Sequence, residues 1–274
     1  MILVADSGST STTWVDILSG NKIVTAGLNP HFTDDTAFMS AFAEVSSLGH
    51  CDRVFFYGAG CGDEVQRMRV ARLLKKSFHT DIVAVETDLL GACRAACADH
   101  AGLVGILGTG SNACFYDGHD VAGRVASTGY VLGDHGSGNH LGRLLLHDYL
   151  VGVMPSRLAE LFQTVFPYSY SEWMDRVYHQ PHANRFLASL APFAVRRIDD
   201  EYCKRLILRV LDEWFDSQLA LLLPQTGCRE LYLVGGIAAA VEPLLKFLMN
   251  GKGIDVRGVL ADPVDGLCNY HMSR

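Results

Sequence analysis

The stretch ILVADSGSTSTTW, Ile2 to Trp14, decides the reading of the fold. A short apolar run ends in an aspartate, four small residues follow, and the chain then resumes with period-two alternation. That order reads as strand, tight turn, strand. Lys22 to Ala26 can pair with the second strand across Ser19-Gly20-Asn21. Taken alone, Asp6-Ser-Gly-Ser-Thr10 fits either a plain hairpin turn or a phosphate grip. It has neither the lysine of a P-loop nor the G-x-G-x-x-G of a dinucleotide fold. It does place Gly8, which lets a ligand approach the backbone, beside Ser9, Thr10 and Thr12, whose hydroxyl and N–H groups can donate to phosphate oxygens. Asp6, at the strand end, suits a Mg²⁺ ion held through water.

Working outward, helical patterns are expected at Thr36 to Leu48, Glu64 to Phe78 and Leu89 to Asp99, with strands at Arg53 to Tyr57 and Ile82 to Val85. The first third therefore reads βββαβαβα. The order then restarts: Leu103 to Leu107 is apolar, Gly108 to Ser111 is a glycine-rich turn, and Asn112 to Tyr116 and Val121 to Ala126 are strand-like. A helix is expected at Ser137 to Val151. Helices at Ser156 to Phe166, Ser171 to His179, Ala183 to Ala194 and Asp199 to Leu223 form an insertion. Glu230 to Val234, Ala238 to Asn250, Ile254 to Val259 and a short helix after Pro263 complete a strand, helix, strand, helix order. Two similar α/β lobes follow: 1–101, with the C-terminal helix 263–274 as a candidate addition to it, and 102–262, with a helical insertion at about 152–225. Ligands of open α/β sheets bind beyond the carboxyl ends of strands, so the two glycine-rich turns are expected to face each other across a cleft.

The second turn, GTGSN at Gly108 to Asn112, changes how the first is weighed. Thr109, Gly110 and Ser111 can grip a polyphosphate from the other side, making a two-jawed clamp. A third segment, LYLVGGIAAA at Leu231 to Ala240, ends a strand in Gly235-Gly236, where paired glycines admit an adenine or ribose or simply allow tight helix packing.

In combination these segments resemble the actin-like ATPase superfamily that includes hexokinase. Within it the sequence is similar to the N-acetylglucosamine kinase branch, in the family shared with the ATPase activators of benzoyl-CoA reductase and 2-hydroxyglutaryl-CoA dehydratase. The resemblance spans nearly the whole chain. DSGSTSTTW looks like the first phosphate motif, LGTGSN the second, GYVLGDHGSG the segment that usually reads G-x-x-x-G-D-E-G-S, and LVGGI the adenosine motif. It implies two ribonuclease-H-like lobes, an ATP and Mg²⁺ requirement, and a sugar acceptor. Asn29 in GLNP and Asp134 resemble sugar contacts, with Ser127, Thr128 and Gly129 lining the same region, and Asp88 in VETDLLGAC matches the catalytic aspartate. A cleft carboxylate can orient an acceptor hydroxyl and take its proton; apart from the resemblance, Asp88 reads equally as a helix cap beside Thr87.

Two departures bear on the acceptor. His135 stands where the family usually has glutamate, and Ser127-Thr128 stand where N-acetylglucosamine kinases usually have Gly-Trp. The implied reaction is transfer of the γ-phosphoryl of ATP to an amino-sugar hydroxyl, the 6-hydroxyl of N-acetylglucosamine. An ATPase activator with an iron–sulfur cluster and a sugar or nucleotide sensor are the alternatives; for the activator, Cys114 is the one cysteine near the second turn. His135, His140 and His147 read as solvated or capping residues.

Composition agrees with a small-molecule enzyme. The 274 residues are 49% hydrophobic and carry a formal charge of −7 with no extended Lys/Arg block, so no nucleic-acid footprint is expected. No apolar run approaches the roughly 20 residues of a membrane span, no secretory leader is apparent, and eight scattered cysteines without C-x-x-C spacing fit reduced core thiols. A cytoplasmic location is expected, and the resemblance implies a homodimer.

Overall fold

A computed structural model describes residues 1–47 and 49–274. The chain divides into two compact units: 1–101, 116–121 and 262–274 form the first, and 102–115 and 122–261 the second.

In the first unit, β1 (Ile2–Ser7), β2 (Ser11–Asp16) and β3 (Lys22–Ala26) are followed by α1 (Asp35–Ser46), β4 (Arg53–Gly58), α2 (Glu64–Phe78), β5 (Val83–Thr87) and α3 (Asp88–Cys97). The sheet order is β3-β2-β1-β4-β5. β1 is antiparallel to β2 and parallel to β4, which is parallel to β5. Because β1 is central and covered on both faces, its side chains are apolar in succession. Leu3 and Ala5 join Trp14, Phe38, Phe42 and Phe56 on one side, while Val4 meets Tyr57, Val264 and Leu267 on the other. The register places Asp6 opposite Tyr57, and Tyr57 opposite Glu86, so β1, β4 and β5 end together.

The second unit repeats the plan. It contains β6 (Gly102–Leu107), β7 (Ser111–Tyr116), β8 (Val121–Arg124), α4 (Gly129–Leu132), α5 (Gly138–Leu150), α6 (Ser156–Val165), α7 (Tyr170–Tyr178), α8 (Ala183–Ala188), α9 (Pro192–Val195) and α10 (Glu201–Trp214). A π-helical turn, Phe215–Leu219, leads into α11 (Ala220–Thr226), β9 (Glu230–Val234), α12 (Gly236–Ala240), α13 (Glu242–Gly251) and β10 (Asp255–Leu260). The last helix, α14 (Val264–Met272), packs on α3 and β1 of the first unit. Read from β8, the second sheet runs β8-β7-β6-β9-β10, the same order as the first. Two α/β units on five-stranded mixed sheets are the fold the sequence led us to expect.

Several elements differ from expectation in their limits. The helix expected over 183–194 is two, because Pro192 has no N–H to continue it and instead occupies the first turn of α9. The long helix expected over 199–223 begins after Asp200, whose side chain caps Tyr202 and Cys203, and is interrupted by the π turn. The helix expected over 238–250 is α12 plus α13, with a proline in the first turn of α13. The short α4 was not expected at all, and the expected end of α1 at Leu48 lies outside the described residues. Among the described residues, no helix is long and apolar enough to cross a membrane.

Candidate active site

In the first unit the site is built at the carboxyl ends of β1, β4 and β5. The β1–β2 turn is closed by Gly8 N–H donating to Ser11 C=O at 3.0 Å. Ser7 and Thr12 flank it and share a 2.7 Å hydroxyl–hydroxyl bond; the Thr12 hydroxyl also donates to Ala26 C=O, and Ser7 Oγ accepts from Leu28 N–H. Thr12 is fully buried. Its hydroxyl ties β2 to β3, so Thr12 is engaged within the fold where the sequence offered it as a phosphate donor. Ser9 is half-buried and Thr10 exposed, so the turn presents these two, with Gly8, to its surroundings. Gly27 lies directly beneath: a Cβ there would stand 2.6 Å from Gly8 C=O. Asn29 follows at once, its Oδ1 accepting from His31 N–H and packing against Gly60, where any side chain would displace it.

Asp88 is the first residue of α3. Thr87 is the cap, accepting from Leu90 N–H, so the helix-cap role belongs to Thr87, while the Asp88 carboxylate accepts from its neighbour Leu89 N–H at 2.9 Å and from its own backbone N–H. Burial raises the Asp88 carboxyl above the ordinary carboxylate range, in spite of these backbone bonds. Asp6 is raised to about 7, first by burial and then by the charges of Asp88 and Asp262. Asp262 was not anticipated. It sits just before α14, accepts from Val264 N–H, and lies 3.8 Å from Lys22. In the sequence it looked like an ordinary residue before a helix, and only the packing of α14 on β1 brings its charge to bear on Asp6.

In the second unit the β6–β7 turn is held by α5. Gly108 C=O accepts from Gly138 N–H at 2.8 Å, and Thr109 C=O accepts from both Asn139 N–H and Asn139 Nδ2. Asp134, in the left-handed conformation at φ 51°, accepts from Asn139 Nδ2 through Oδ2 at 2.8 Å and faces Ser111 N–H through Oδ1 at 3.4 Å. Burial raises its carboxyl too, and these two donors oppose the rise. Gly110 must lack a side chain, since a Cβ would meet Asp134 Oδ2 at 2.9 Å. Gly235, at φ 121°, lies against Leu107 C=O with no room for a Cβ, and Gly236 opens α12. Thr109, Gly110, Ser111, Asp134 and Gly235 are thus brought together. Ser127, Thr128 and Gly129 are exposed and form the approach to α4, where Gly133 N–H donates back to Gly129 C=O. Asn139 was missed because in GSGNHLG it reads only as the start of a helix.

The histidines differ from expectation at one position. His147 is exposed, but His140 is buried, accepting from Gly136 N–H at Nδ1 and facing Glu213 at 3.2 Å through Nε2; burial lowers it to about 4. His135 packs edge-on against it. Among the described residues, no cluster of three or more His, Cys, Asp or Glu side chains could by itself hold a metal ion.

No protein-family model and no curated protein matches the chain. Solved structures do. A Porphyromonas gingivalis protein described provisionally as an N-acetylglucosamine kinase is 34% identical, covering 100% of this chain and 99% of its own, with a TM-score of 0.91. A Chromobacterium violaceum protein with the same provisional description shares the fold at 17% identity and a TM-score of 0.72, over 98% and 99% of the two chains. A ROK family glucokinase from Streptomyces griseus, solved with glucose and AMPPNP, shares it at 14% identity and 0.56, over 98% of both. With the same five-stranded sheet order in both units and full-length likeness above 30% identity, the chain belongs to the sugar kinase family of the N-acetylglucosamine kinase type.

Proposed function

We propose that the protein is an ATP-dependent sugar kinase that transfers the γ-phosphoryl of Mg-ATP to an amino-sugar hydroxyl, with N-acetylglucosamine as acceptor and its 6-phosphate as product. The observation that carries this reading is the full-length likeness to the Porphyromonas gingivalis protein. The geometry of each unit supports it.

Asp88 is the base. Its carboxylate stands at the end of β5 with local backbone hydrogen bonds and a raised pKa, the condition that makes a carboxylate a better acceptor for a hydroxyl proton. Asn29, fixed by its own turn, orients the sugar through its amide. The Gly8–Thr10 turn and the Thr109–Ser111 turn donate N–H and hydroxyl groups to phosphate oxygens, and Gly235-Gly236 admits the adenosine. Asp134 and the exposed Ser127–Gly129 segment contribute sugar contacts. Phosphoryl transfer asks the protein mainly for positioning and charge stabilisation, which rigid turns supply without reorganisation.

Asp6 is the residue that would hold Mg²⁺. A carboxylate raised to about 7 by burial and by two neighbouring carboxylates is one whose ionised form a cation would stabilise, and Mg²⁺ takes oxygen ligands from one or two carboxylates, water and phosphates. When bound, the ion supplies neutralisation of charge on the phosphate oxygens. The proposal takes the working form to be a cytoplasmic homodimer. The ATPase-activator alternative needs thiolates able to ligate a cluster beside the second turn, and Cys114 there is fully buried within β7; the kinase reading is therefore preferred.

The test is ADP release with Mg-ATP over a panel of N-acetylglucosamine, glucosamine, glucose, N-acetylmannosamine and muramic-acid derivatives, with the product identified. N-acetylglucosamine is expected to give the highest kcat/KM. Absence of stimulation by every sugar would end the kinase reading, and a different preferred sugar would relocate the acceptor assignment to the Ser127-Thr128 departure.

A further inference from the structure

The π turn at 215–219 has a specific effect on the β6–β7 turn. Such wide turns inside helices are uncommon and often mark functional positions. Here it follows Trp214, a fully buried ring wedged against two glycines: a Cβ at Gly105 of β6 would stand 2.5 Å from the indole, and one at Gly136, in the Asp134 segment, 2.6 Å from Trp214 Cβ. The indole Nε1–H donates to Gln218 Oε1 at 3.2 Å. Gln218 Nε2 in turn lies 3.1 Å from Ser111 Oγ.

The orientation of this amide is determined by chemistry. An indole N–H can only donate, so the group facing it must be the amide oxygen, and the amide NH₂ must then face Ser111. Ser111 Oγ accepts that bond. Its single hydroxyl proton is left for a different acceptor, while its backbone N–H faces Asp134. Ser111 keeps 7% of its surface exposed, at the end of the turn assigned to phosphate.

We infer that Gln218 is a positioning residue of the phosphate-binding turn: by donating to Ser111 Oγ, it reserves the Ser111 hydroxyl proton for an oxygen of the nucleotide's phosphate chain. The inference rests on the proposed reading of that turn as a nucleotide grip. It adds a residue with no motif of its own, carried by the inserted helices rather than by either sheet.

Gln218→Glu is the decisive variant, because it keeps the shape and the indole bond but turns the group facing Ser111 into an acceptor, drawing the hydroxyl proton away from ligand. Binding of Mg-AMPPNP is measured by calorimetry for the wild type, Gln218→Glu, the neutral Gln218→Met, Ser111→Ala and both double variants, with circular dichroism and melting temperature as folding controls. A hydrogen bond to a charged phosphate leads us to expect about a tenfold loss of affinity for Gln218→Glu and for Ser111→Ala, and a smaller loss for Gln218→Met. In the Ser111→Ala background neither Gln218 change should matter further. Wild-type affinity in folded Gln218→Glu would overturn the inference alone. So would persistence of its full loss without the Ser111 hydroxyl, since that would be a charge effect. A wild type that binds no adenine nucleotide would remove the nucleotide reading and this inference with it.

Discussion

The two glycine-rich turns occupy the same position in two copies of one sheet order, yet they are held in different ways. The β1–β2 turn is held by nearby chain: a Ser7–Thr12 hydroxyl pair spans its own hairpin, Ala26 and Leu28 bond to that pair, and Gly27 seals the turn from below. The β6–β7 turn depends on distant chain. Asn139 of α5, Asp134 of the preceding loop, Gln218 of the π turn and Gly235 before α12 all bear on it. The first turn instead has carboxylates around it, and Asp6 is raised to about 7 by burial, Asp88 and Asp262. The difference teaches that one sheet order can hold its turn in two ways: one turn sits in a hairpin tied to neighbouring chain beside Asp6, and the other is held by residues far away in sequence.

The largest effects should come from the glycines that touch the turns. Gly27→Ala drives a Cβ into the backbone of Gly8 and Ser9, and Gly235→Ala drives one into Leu107 C=O at a φ that L-residues avoid. Each should cost about 2–4 kcal/mol in denaturant unfolding. A cost below about 0.5 kcal/mol at either site, the range of an ordinary surface substitution, would show that its turn is more loosely held than the contacts imply.

Asp6→Asn probes the acidic side. A carboxyl whose folded pKa is raised from 3.8 to about 7 keeps a proton that the unfolded chain releases, so ligand-free protein loses this contribution to stability as pH rises from about 4 to 7. The variant should therefore melt higher than wild type at about pH 8 and match it below about pH 4. Equal melting temperatures at both pH values would mean that neither burial nor the charges of Asp88 and Asp262 raise Asp6.

The smallest of these effects concerns Thr12. Thr12→Val removes the bonds to Ser7 and Ala26 and should cost about 1–2 kcal/mol of stability while leaving Mg-AMPPNP affinity unchanged. A loss of nucleotide affinity of about tenfold, the value of one bond to a charged group, would return Thr12 to the ligand and make the two turns more alike.

The fold was legible because it repeats. Two strand–turn–strand openings, each followed by further strands and helices, gave the order of elements along the chain through periodicity and turn residues, and Glu64 to Phe78, Lys22 to Ala26 and Glu230 to Val234 fall where the pattern puts them. The places of Asp6 and the two turns at strand ends were legible from the pattern, whereas Asp88 stood out from a helix cap only through the resemblance. What was not legible depends on long-range packing. Thr12 has the residue type of a phosphate donor, and only pairing with β3 shows its hydroxyl engaged. Asp262 acts on Asp6 from more than two hundred residues away, and Gln218 reaches Ser111 because a π turn shifts its phase on the helix. His140 looked like a surface histidine because its partner, Glu213, lies far along the chain.

The most direct test of the central claim is sugar-dependent ADP release by Asp88→Asn set beside its Mg-ATP affinity. If Asp88 accepts the proton of the sugar hydroxyl, nucleotide binding stays at the wild-type level and sugar-stimulated turnover falls by about a hundredfold or more. Turnover close to wild type in a variant that binds ATP normally would contradict the account.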